Sequence, residues 1–264
     1  MNRLMSRMLI LIAACVPLCA QWLDHPTPGV PRTADGKPNL SAPAPRTADG
    51  KPDLSGIWSM EHEPGKPTFF DTGKLVKGGL PFKPETAALM KVRSPQDSPL
   101  RAQEPLANCL PIGIIYRWHQ QNVKVVQTPG LLLVLSEYMK SFRQIFLDGR
   151  TLEPDPNPEW DGYSVGRWDG DTLVVESNGF RDGIWIDIQG NPTTDAAKIT
   201  ERIRRVDFGH LLVEVTVDDP KAYTAPWTFT MPQVLQPDTE LLPLICNENE
   251  KSLSHIKAGQ GLTK

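Results

Sequence analysis

The sequence predicts an all-β fold, either an antiparallel up-and-down barrel or a closely related β-sandwich, with an extended N-terminal arm. Three observations support this prediction. From residue 122 onward, short runs rich in β-branched and aromatic residues follow one another at fairly even spacing. Turn dipeptides separate the runs. Within the runs, apolar and polar residues alternate with the period of two that is typical of a half-buried strand.

Nine segments are expected to be strands. Pro129-Gly130 and Asp169-Gly170 suit tight hairpins, so neighbouring strands are expected to pair. About nine strands are enough to close a barrel or to form two packed sheets. We favour the barrel because closure removes the unpaired edges of the sheet. The expected strands are 56–58, 122–128, 131–138, 142–147, 163–168, 172–177, 198–206, 211–218 and 226–232.

The long region 59–121, between the first and second strands, breaks the pattern. Pro84 suits the first turn of a helix and Glu85 complements the helix N-terminus, so we expect one short helix from Pro84 to about Val92. The rest of 64–110 is expected to be surface loop.

The chain divides into a signal peptide at 1–20, an arm at 21–54 and a single antiparallel β domain at 55–264. Arg3 and Arg7 precede an apolar run from Met8 to Leu18, which is the layout of a secretory signal. That run is too short to span a bilayer as a stable helix. An alternative interpretation of the same segment makes Cys15 the site of a lipid anchor.

The arm contains a duplicated phrase. PRTADGKPNL at 31–40 returns as PRTADGKPDL at 45–54. The repeat is too short to be a solenoid unit, and its Pro and Asp-Gly content favours extended segments that alternate with tight turns. We expect an arm that either lies on the β domain or projects from it.

The composition of the chain indicates which cell compartment and which classes of partner to expect. The chain has 39% hydrophobic and 22% charged residues, which is ordinary for a globular protein, and we expect no transmembrane segment after the signal. The formal net charge is -3 and the basic residues are scattered, so nucleic acid is not an expected partner. The protein is expected to be periplasmic or secreted.

Cys109 and Cys246 are the two cysteines that lie after the signal segment. In an oxidising compartment, such a pair is expected to form a disulfide. Two free, buried cysteines are the alternative.

Three phrases carry a resemblance to other proteins. They are DLSGIW at 53–58, YSVGRWDGDTLVVE at 163–176 and TERIRR at 200–205. Together they resemble a family of exported, uncharacterised proteins of acidobacteria and other soil bacteria. The resemblance covers nearly the whole mature chain and implies no particular activity.

Gly56-Ile57-Trp58 carries a second resemblance, because lipocalin-like (calycin) barrels place a Gly-x-Trp on their first strand. This likeness implies an up-and-down barrel with an internal ligand cavity. The long region 59–121 departs from the calycin pattern.

Two strands are expected to place charged side chains inside the barrel. In 198–206, Glu201 and Arg205 share a side with two isoleucines, and in 142–147 Arg143 shares a side with Ile145. This predicts a polar cluster of Arg143, Glu201 and Arg205 at the base of an apolar pocket, where it orients a ligand carboxylate or hydroxyl. The alternative puts these residues on the wet face or a barrel rim, in ordinary cross-strand pairs, because a register shift of one residue reverses the faces.

Two aromatic residues are also expected to contact a ligand. Tyr163 and Trp168 flank a hairpin, and aromatic rings at a barrel mouth suit a flat or apolar molecule. Core packing explains the other aromatic residues equally well.

No motif predicts a catalytic residue, a cofactor or a metal. The five histidines lie far apart and form no metal-ligand spacing. The sequence contains no nucleophile elbow, phosphate loop or dinucleotide fingerprint. His119, between Trp118 and Gln120, is the one histidine in an aromatic context.

The sequence therefore favours an exported binder of a small, largely apolar molecule held inside the barrel. Two alternatives stay open. One is an enzyme that uses the same cavity with Glu201 or His119 as general acid or base. The other is an envelope interaction module whose repeated arm docks a partner.

Overall fold

The computed structural model describes residues 26–61, 71–120, 122–139, 141–246 and 248. The predicted signal peptide, with Cys15, lies outside these residues, and so do residues 21–25 of the arm. Nine strands form one closed barrel. This confirms the all-β prediction and decides in favour of the barrel over the sandwich.

The strands follow one another around the barrel in chain order, apart from a two-stranded ribbon inserted after the sixth strand. The ribbon consists of β7 (Ile184–Trp185) and β8 (Pro192–Thr193). The barrel strands are β1 (Gly56–Met60), β2 (Val123–Thr128), β3 (Leu131–Ser136), β4 (Phe142–Phe146), β5 (Tyr163–Asp169), β6 (Thr172–Asn178), β9 (Lys198–Arg205), β10 (His210–Asp218) and β11 (Trp227–Leu235).

One junction of the barrel departs from the antiparallel prediction. β4 and β5 run parallel, with Phe146 opposite Val165, whereas the other eight neighbour pairs are antiparallel. Strand direction cannot alternate all the way around a closed ring with an odd number of strands, so at least one neighbour pair must be parallel. The domain is therefore a mixed barrel, and the connection 147–162 returns the chain to the end where β4 began.

The predicted faces of the strands are confirmed. In β10, Val213 and Val215 are buried and Glu214 is exposed between them. In β9, Glu201 and Arg205 are buried on the inward side, as expected from the alternation. The inward rows thus place charged groups in the barrel together with the aliphatic core.

The region between β1 and β2 contains more helix than predicted. The predicted helix is confirmed as α2 (Pro84–Arg93), and it follows the short helix α1 (Thr72–Leu75). Two 3₁₀ helices, Pro99–Gln103 and Leu106–Asn108, lead to α3 (Gly113–Gln120). Helix α3 was not predicted, because its short apolar start fits a strand as well as a helix.

Helix α3 fills one end of the barrel. Residues 112–119 are all buried, and Ile114, Ile115 and Trp118 pack in one core with the inward side chains of the strands. A space of about 10 Å³ lies between α3 and the ribbon, which is room for about one water molecule. This space is far smaller than the cavity of several hundred Å³ that a ligand inside the barrel needs.

The arm lies on the other end of the barrel, and its two repeats fold in the same way. Arg32 donates to the carbonyl of Gly36, and Arg46 donates to the carbonyl of Gly50. Each arginine also reaches an aspartate of the barrel domain. The partners are Asp238 for Arg32, at 2.6 Å, and Asp171 for Arg46, at 2.6 Å. The arm therefore lies on the domain and does not project from it.

Between the repeats, the arm touches the β9–β10 turn through backbone hydrogen bonds. The N–H groups of Gly209 and Phe208 donate to the carbonyls of Leu40 and Ala42, both at 2.7 Å. A Cβ atom at position 209 would collide with Leu40. Glycine is therefore required at this position because the two backbones approach so closely.

Cys109 and Cys246 form a disulfide, with their Cα atoms 5.5 Å apart, as predicted. The bond joins the segment before α3 to the C-terminal segment, which runs beside Tyr138 at Leu244. None of the helices in the described ranges is long and apolar enough to cross a membrane.

Candidate functional site

Two of the predicted site residues meet inside the barrel. Arg143 of β4 and Glu201 of β9 form an ion pair at 2.5 Å, with 2% and 1% of their side chains exposed. Trp118 of α3 donates its indole N–H to the other carboxylate oxygen of Glu201 at 2.9 Å. The prediction that these two charges point inward and lie together is therefore confirmed.

Two serines complete the surroundings of Arg143. Its guanidinium donates to the hydroxyls of Ser164 and Ser177 at 3.1 and 3.0 Å, and these hydroxyls lie 2.9 Å apart. A buried charge is tolerated when it is paired and hydrogen-bonded, and both conditions hold here. The cluster connects β4, β5, β6, β9 and α3, so it acts as an internal cross-link of the barrel.

Arg205 lies apart from this cluster, at the arm end of the barrel. It donates to the backbone carbonyls of Asp53 and Phe208, and its guanidinium lies 4.9 Å from the ring centre of Trp58. Burial lowers the pKa of Arg205 to about 10, against the opposing effect of the nearby Asp53. These contacts fasten the start of β1 to the β9–β10 turn.

The two predicted aromatic contacts also lie apart. Trp168 is half-buried near the arm, with the ammonium of Lys51 5.9 Å from its ring centre. Tyr163 alternates with the inward Ser164 and therefore faces outward, where its hydroxyl accepts from Arg150 at 3.2 Å. The five predicted ligand residues thus occupy three separate places, and their contact with a ligand stays a prediction.

A second buried ion pair was not predicted. Arg117 of α3 pairs with Asp161 at 2.5 Å, and 2% of the Arg117 side chain is exposed. Among the residues that the structure describes, its Nε and Nη1 atoms have no hydrogen-bond partner. Burial lowers the pKa of Arg117, against the opposing effect of Asp161. A lone arginine in an apolar run gave no signal of this pairing.

His119, the candidate for general acid or base, is a buried residue of α3. Its ring meets the ring of Tyr116 edge-on at 4.8 Å, and its Nε2 lies 3.3 Å from the carbonyl oxygen of Ile186. Its role in catalysis stays a prediction, as does that of Glu201. In the described ranges no group of three or more His, Cys, Asp or Glu side chains is placed to hold a metal ion.

A groove of about 290 Å³ lies outside the barrel wall, between the first residues of the arm and the segment that follows β11. Its volume is close to the lower limit for small-molecule sites. Half of its twelve lining residues are apolar, and they belong to the arm, β1, β11 and the segment after it. These residues are Pro26, Pro28, Val30, Ile57, Leu235 and Pro237.

A clamp of three hydrogen bonds joins the two walls of this groove. The Thr27 N–H donates to the Asp238 carboxylate, and the Asp238 N–H donates to the Thr27 hydroxyl, both at 2.8 Å. Arg32 adds an ion pair to the same carboxylate at 2.6 Å. The hydrogen bond from Arg32 lowers the pKa of Asp238. The walls are therefore held in place without a ligand.

Two charged side chains line the same groove. Lys124 of β2 and Glu240 lie 3.6 Å apart, with 40% and 52% of their side chains exposed. None of the five predicted ligand residues lines the groove. The duplicated arm was the one sequence signal near it, because the first repeat supplies Arg32 to the clamp.

A comparison with models of known protein families finds no match, and a comparison with curated proteins finds none either. The resemblances to an exported family of soil bacteria and to lipocalin-like barrels therefore stay predictions. The class that the fold defines is a closed, mixed nine-stranded β-barrel with a helix in one end and an arm across the other.

Proposed function

We propose that this protein is an exported binder of a small, largely apolar molecule. The observation that carries the proposal is the groove beside the arm, which combines an apolar lining with walls that are already joined. Preformed, mostly apolar concavities with a few polar groups are the usual form of small-molecule sites. Walls that need no ordering lower the entropic cost of binding.

The sequence favoured the barrel interior as the binding site, and the groove suits the proposal better. A ligand in the interior has to displace α3, whose Trp118 bonds Glu201 and whose residues 113–119 are buried. A ligand in the groove displaces no part of the core. We therefore place the site in the groove and treat interior binding as an outcome of the test.

Two features support export. Residues 1–20 have the layout of a secretory signal, and Cys109 and Cys246 form a bond that persists in oxidising compartments. The periplasm or the exterior of the cell is the compartment that we propose.

The test is calorimetric titration of the oxidised chain from Gln21 with 1-octanol as the probe. Thr239 lines the groove, so Thr239→Trp should fill it and abolish binding. Thr230→Trp is the matched control, because Thr230 is an exposed residue of β11 that does not line the groove. Equal binding by both variants would rule out the groove, and no binding by the unmodified protein would remove the proposal.

A further inference from the structure

We infer that the molecule bound in the groove carries an anionic head group, which pairs with Lys124 in place of Glu240. This inference rests on the proposed function and adds the charge of the ligand to it. Three features support this inference: the backbone is better held at Lys124 than at Glu240, the ion pair between the two residues is weak, and the charges of the clamp are already paired.

Lys124 stands on a rigid support. It lies in β2 between two neighbouring strands, opposite Ile57 of β1 and Leu135 of β3. Its backbone is therefore fixed on both sides. Because its long apolar stem lines the groove, its ammonium can meet the polar end of a molecule whose apolar part lies on Ile57 and Leu235.

Glu240 stands on a weaker support. It lies in the stretch 236–243, which forms neither helix nor strand. Its carboxylate is 3.6 Å from the Lys124 ammonium, which is too far for a good hydrogen bond. Exposed pairs of this kind contribute only about 0 to 1 kcal/mol. A ligand carboxylate can therefore take the place of Glu240 at little cost, and Glu240 can turn toward water.

The other charges at the groove are already paired. Asp238 accepts from Thr27 and from Arg32 in the clamp, and neither Asp238 nor Arg32 lines the groove. A cationic head group would have to replace the Lys124 ammonium at Glu240, and the backbone of Lys124 is held at the groove by both neighbouring strands. When Glu240 turns toward water, the ligand anion neutralises Lys124 in its place.

The test compares three probes with the same apolar tail: octanoate, 1-octanol and octylammonium. We expect octanoate to bind about threefold to tenfold more tightly than 1-octanol, and this difference should shrink at high salt. Lys124→Met should abolish the preference for octanoate over 1-octanol, and comparison of its urea unfolding midpoint with that of the unmodified protein shows whether the variant is folded. Glu240→Gln should strengthen octanoate binding, because it removes the competing carboxylate.

Equal affinities for octanoate and 1-octanol, or a preference for octylammonium, would overturn the inference and leave the proposed function intact. Failure of all three probes to bind would instead overturn the proposed function. A preference for octanoate that survives Lys124→Met would show that another cation holds the head group, and this result would also overturn the inference.

Discussion

At the residue scale, Arg143 and Glu201 show how a barrel keeps two charges in its interior. The two side chains pair with each other. Arg143 also donates to two serine hydroxyls, and Glu201 also accepts from the indole of Trp118. Because the partners come from different strands and from α3, loss of one charge should weaken contacts across the whole barrel. The pair therefore offers a sharp test of the interior.

Glu201→Gln keeps the size of the side chain and leaves Arg143 as an uncompensated buried cation. We expect it to lower the free energy of unfolding by about 3 to 5 kcal/mol, measured by urea denaturation. Arg202→Gln on the same strand is the control, because Arg202 pairs with Asp169 in solvent at 3.1 Å and its loss should cost about 0 to 1 kcal/mol. Equal effects of the two variants would contradict a buried, mutually dependent pair.

The clamp residue Asp238 predicts a pH dependence of ligand binding. Its pKa in the folded protein is lowered from 3.8, chiefly by the hydrogen bond from Arg32. The stabilisation from ionised Asp238 is complete above the pKa of the unfolded chain and is lost as the pH falls through the lowered, folded-state pKa. We therefore expect the affinity for 1-octanol to fall once the pH drops below 3.8, measured by calorimetry.

The second repeat supplies the control for this pH dependence. Asp171 is held by Arg46 as Asp238 is held by Arg32, and its pKa is also lowered, but Asp171 is not part of the clamp between Asp238 and Thr27. Asp238→Asn should remove the part of the pH dependence due to the clamp, and Asp171→Asn should leave it unchanged. Identical pH profiles for the two variants would show that the clamp does not control the groove.

At the element scale, the arm is part of the barrel domain and not a free tail. Its repeats are fixed by Asp238 and Asp171, and its middle is fixed by the β9–β10 turn. The alternative function, an envelope interaction module whose repeated arm docks a partner, stays a prediction. The contact at Gly209 is the most sensitive of them to a small change.

Gly209→Ala should lift the arm from the turn. The added methyl group would collide with Leu40, so we expect overpacking to cost about 1 to 3 kcal/mol. The amide protons of Gly209 and Phe208 should then exchange faster with solvent. Gly130→Ala is the control, because a Cβ there lies 3.9 Å from Asp148, an ordinary contact. Unchanged exchange in Gly209→Ala would contradict close packing of the arm.

How far the elements could be predicted depended on local pattern. The bounds of β9 and β10 agree with the predicted strands to within one residue. Apolar residues alternate with polar ones along both strands, so only one face of each can be buried. The number of barrel strands, nine, was also predicted. Because nine is an odd number, a closed barrel needs at least one parallel pair, and the prediction of a fully antiparallel barrel overlooked this. Helix α3 was missed because eight residues with an apolar start do not distinguish a helix from a strand.

The sequence predicted only those features of the candidate site that follow from the alternation of residues within one strand. Alternation alone placed Glu201 and Arg143 inside the barrel, although their meeting with Trp118 depends on the unpredicted helix. The groove had no local signal, because its walls are joined by Thr27 and Asp238, which are 211 positions apart. Contacts at this separation follow from barrel closure and from the path of the arm, and not from any one segment.

At the scale of the whole molecule, the disulfide links the segment before α3 to the C-terminal segment across a sequence separation of 137 residues. Replacement of Cys109 and Cys246 by serine should cost about 2 to 5 kcal/mol of unfolding free energy, since the unfolded chain is no longer cross-linked. Urea denaturation with and without reductant measures this. Reductant should destabilise the unmodified protein and leave the stability of the double variant unchanged. If reductant does not change the stability of the unmodified protein, the disulfide does not stabilise the fold.

The path of the chain also explains why the ligand site is expected on the outside. One end of the barrel is filled by α3, and the arm covers the other end, where Arg205 and Trp168 lie. Between the start of the arm and the segment after β11, the chain leaves the groove open. Binding therefore depends on the contact between the two ends of the described chain.

A titration of the ¹⁵N-labelled protein with 1-octanol, followed by amide chemical shifts, tests this location most directly. We expect the largest shift changes at Ile57, Lys124 and Gln236, which line the groove, with little change at Glu201 or at the indole of Trp118. The largest changes at Glu201 and Trp118 would place the ligand in the barrel interior and contradict the groove, and the absence of any change would contradict binding.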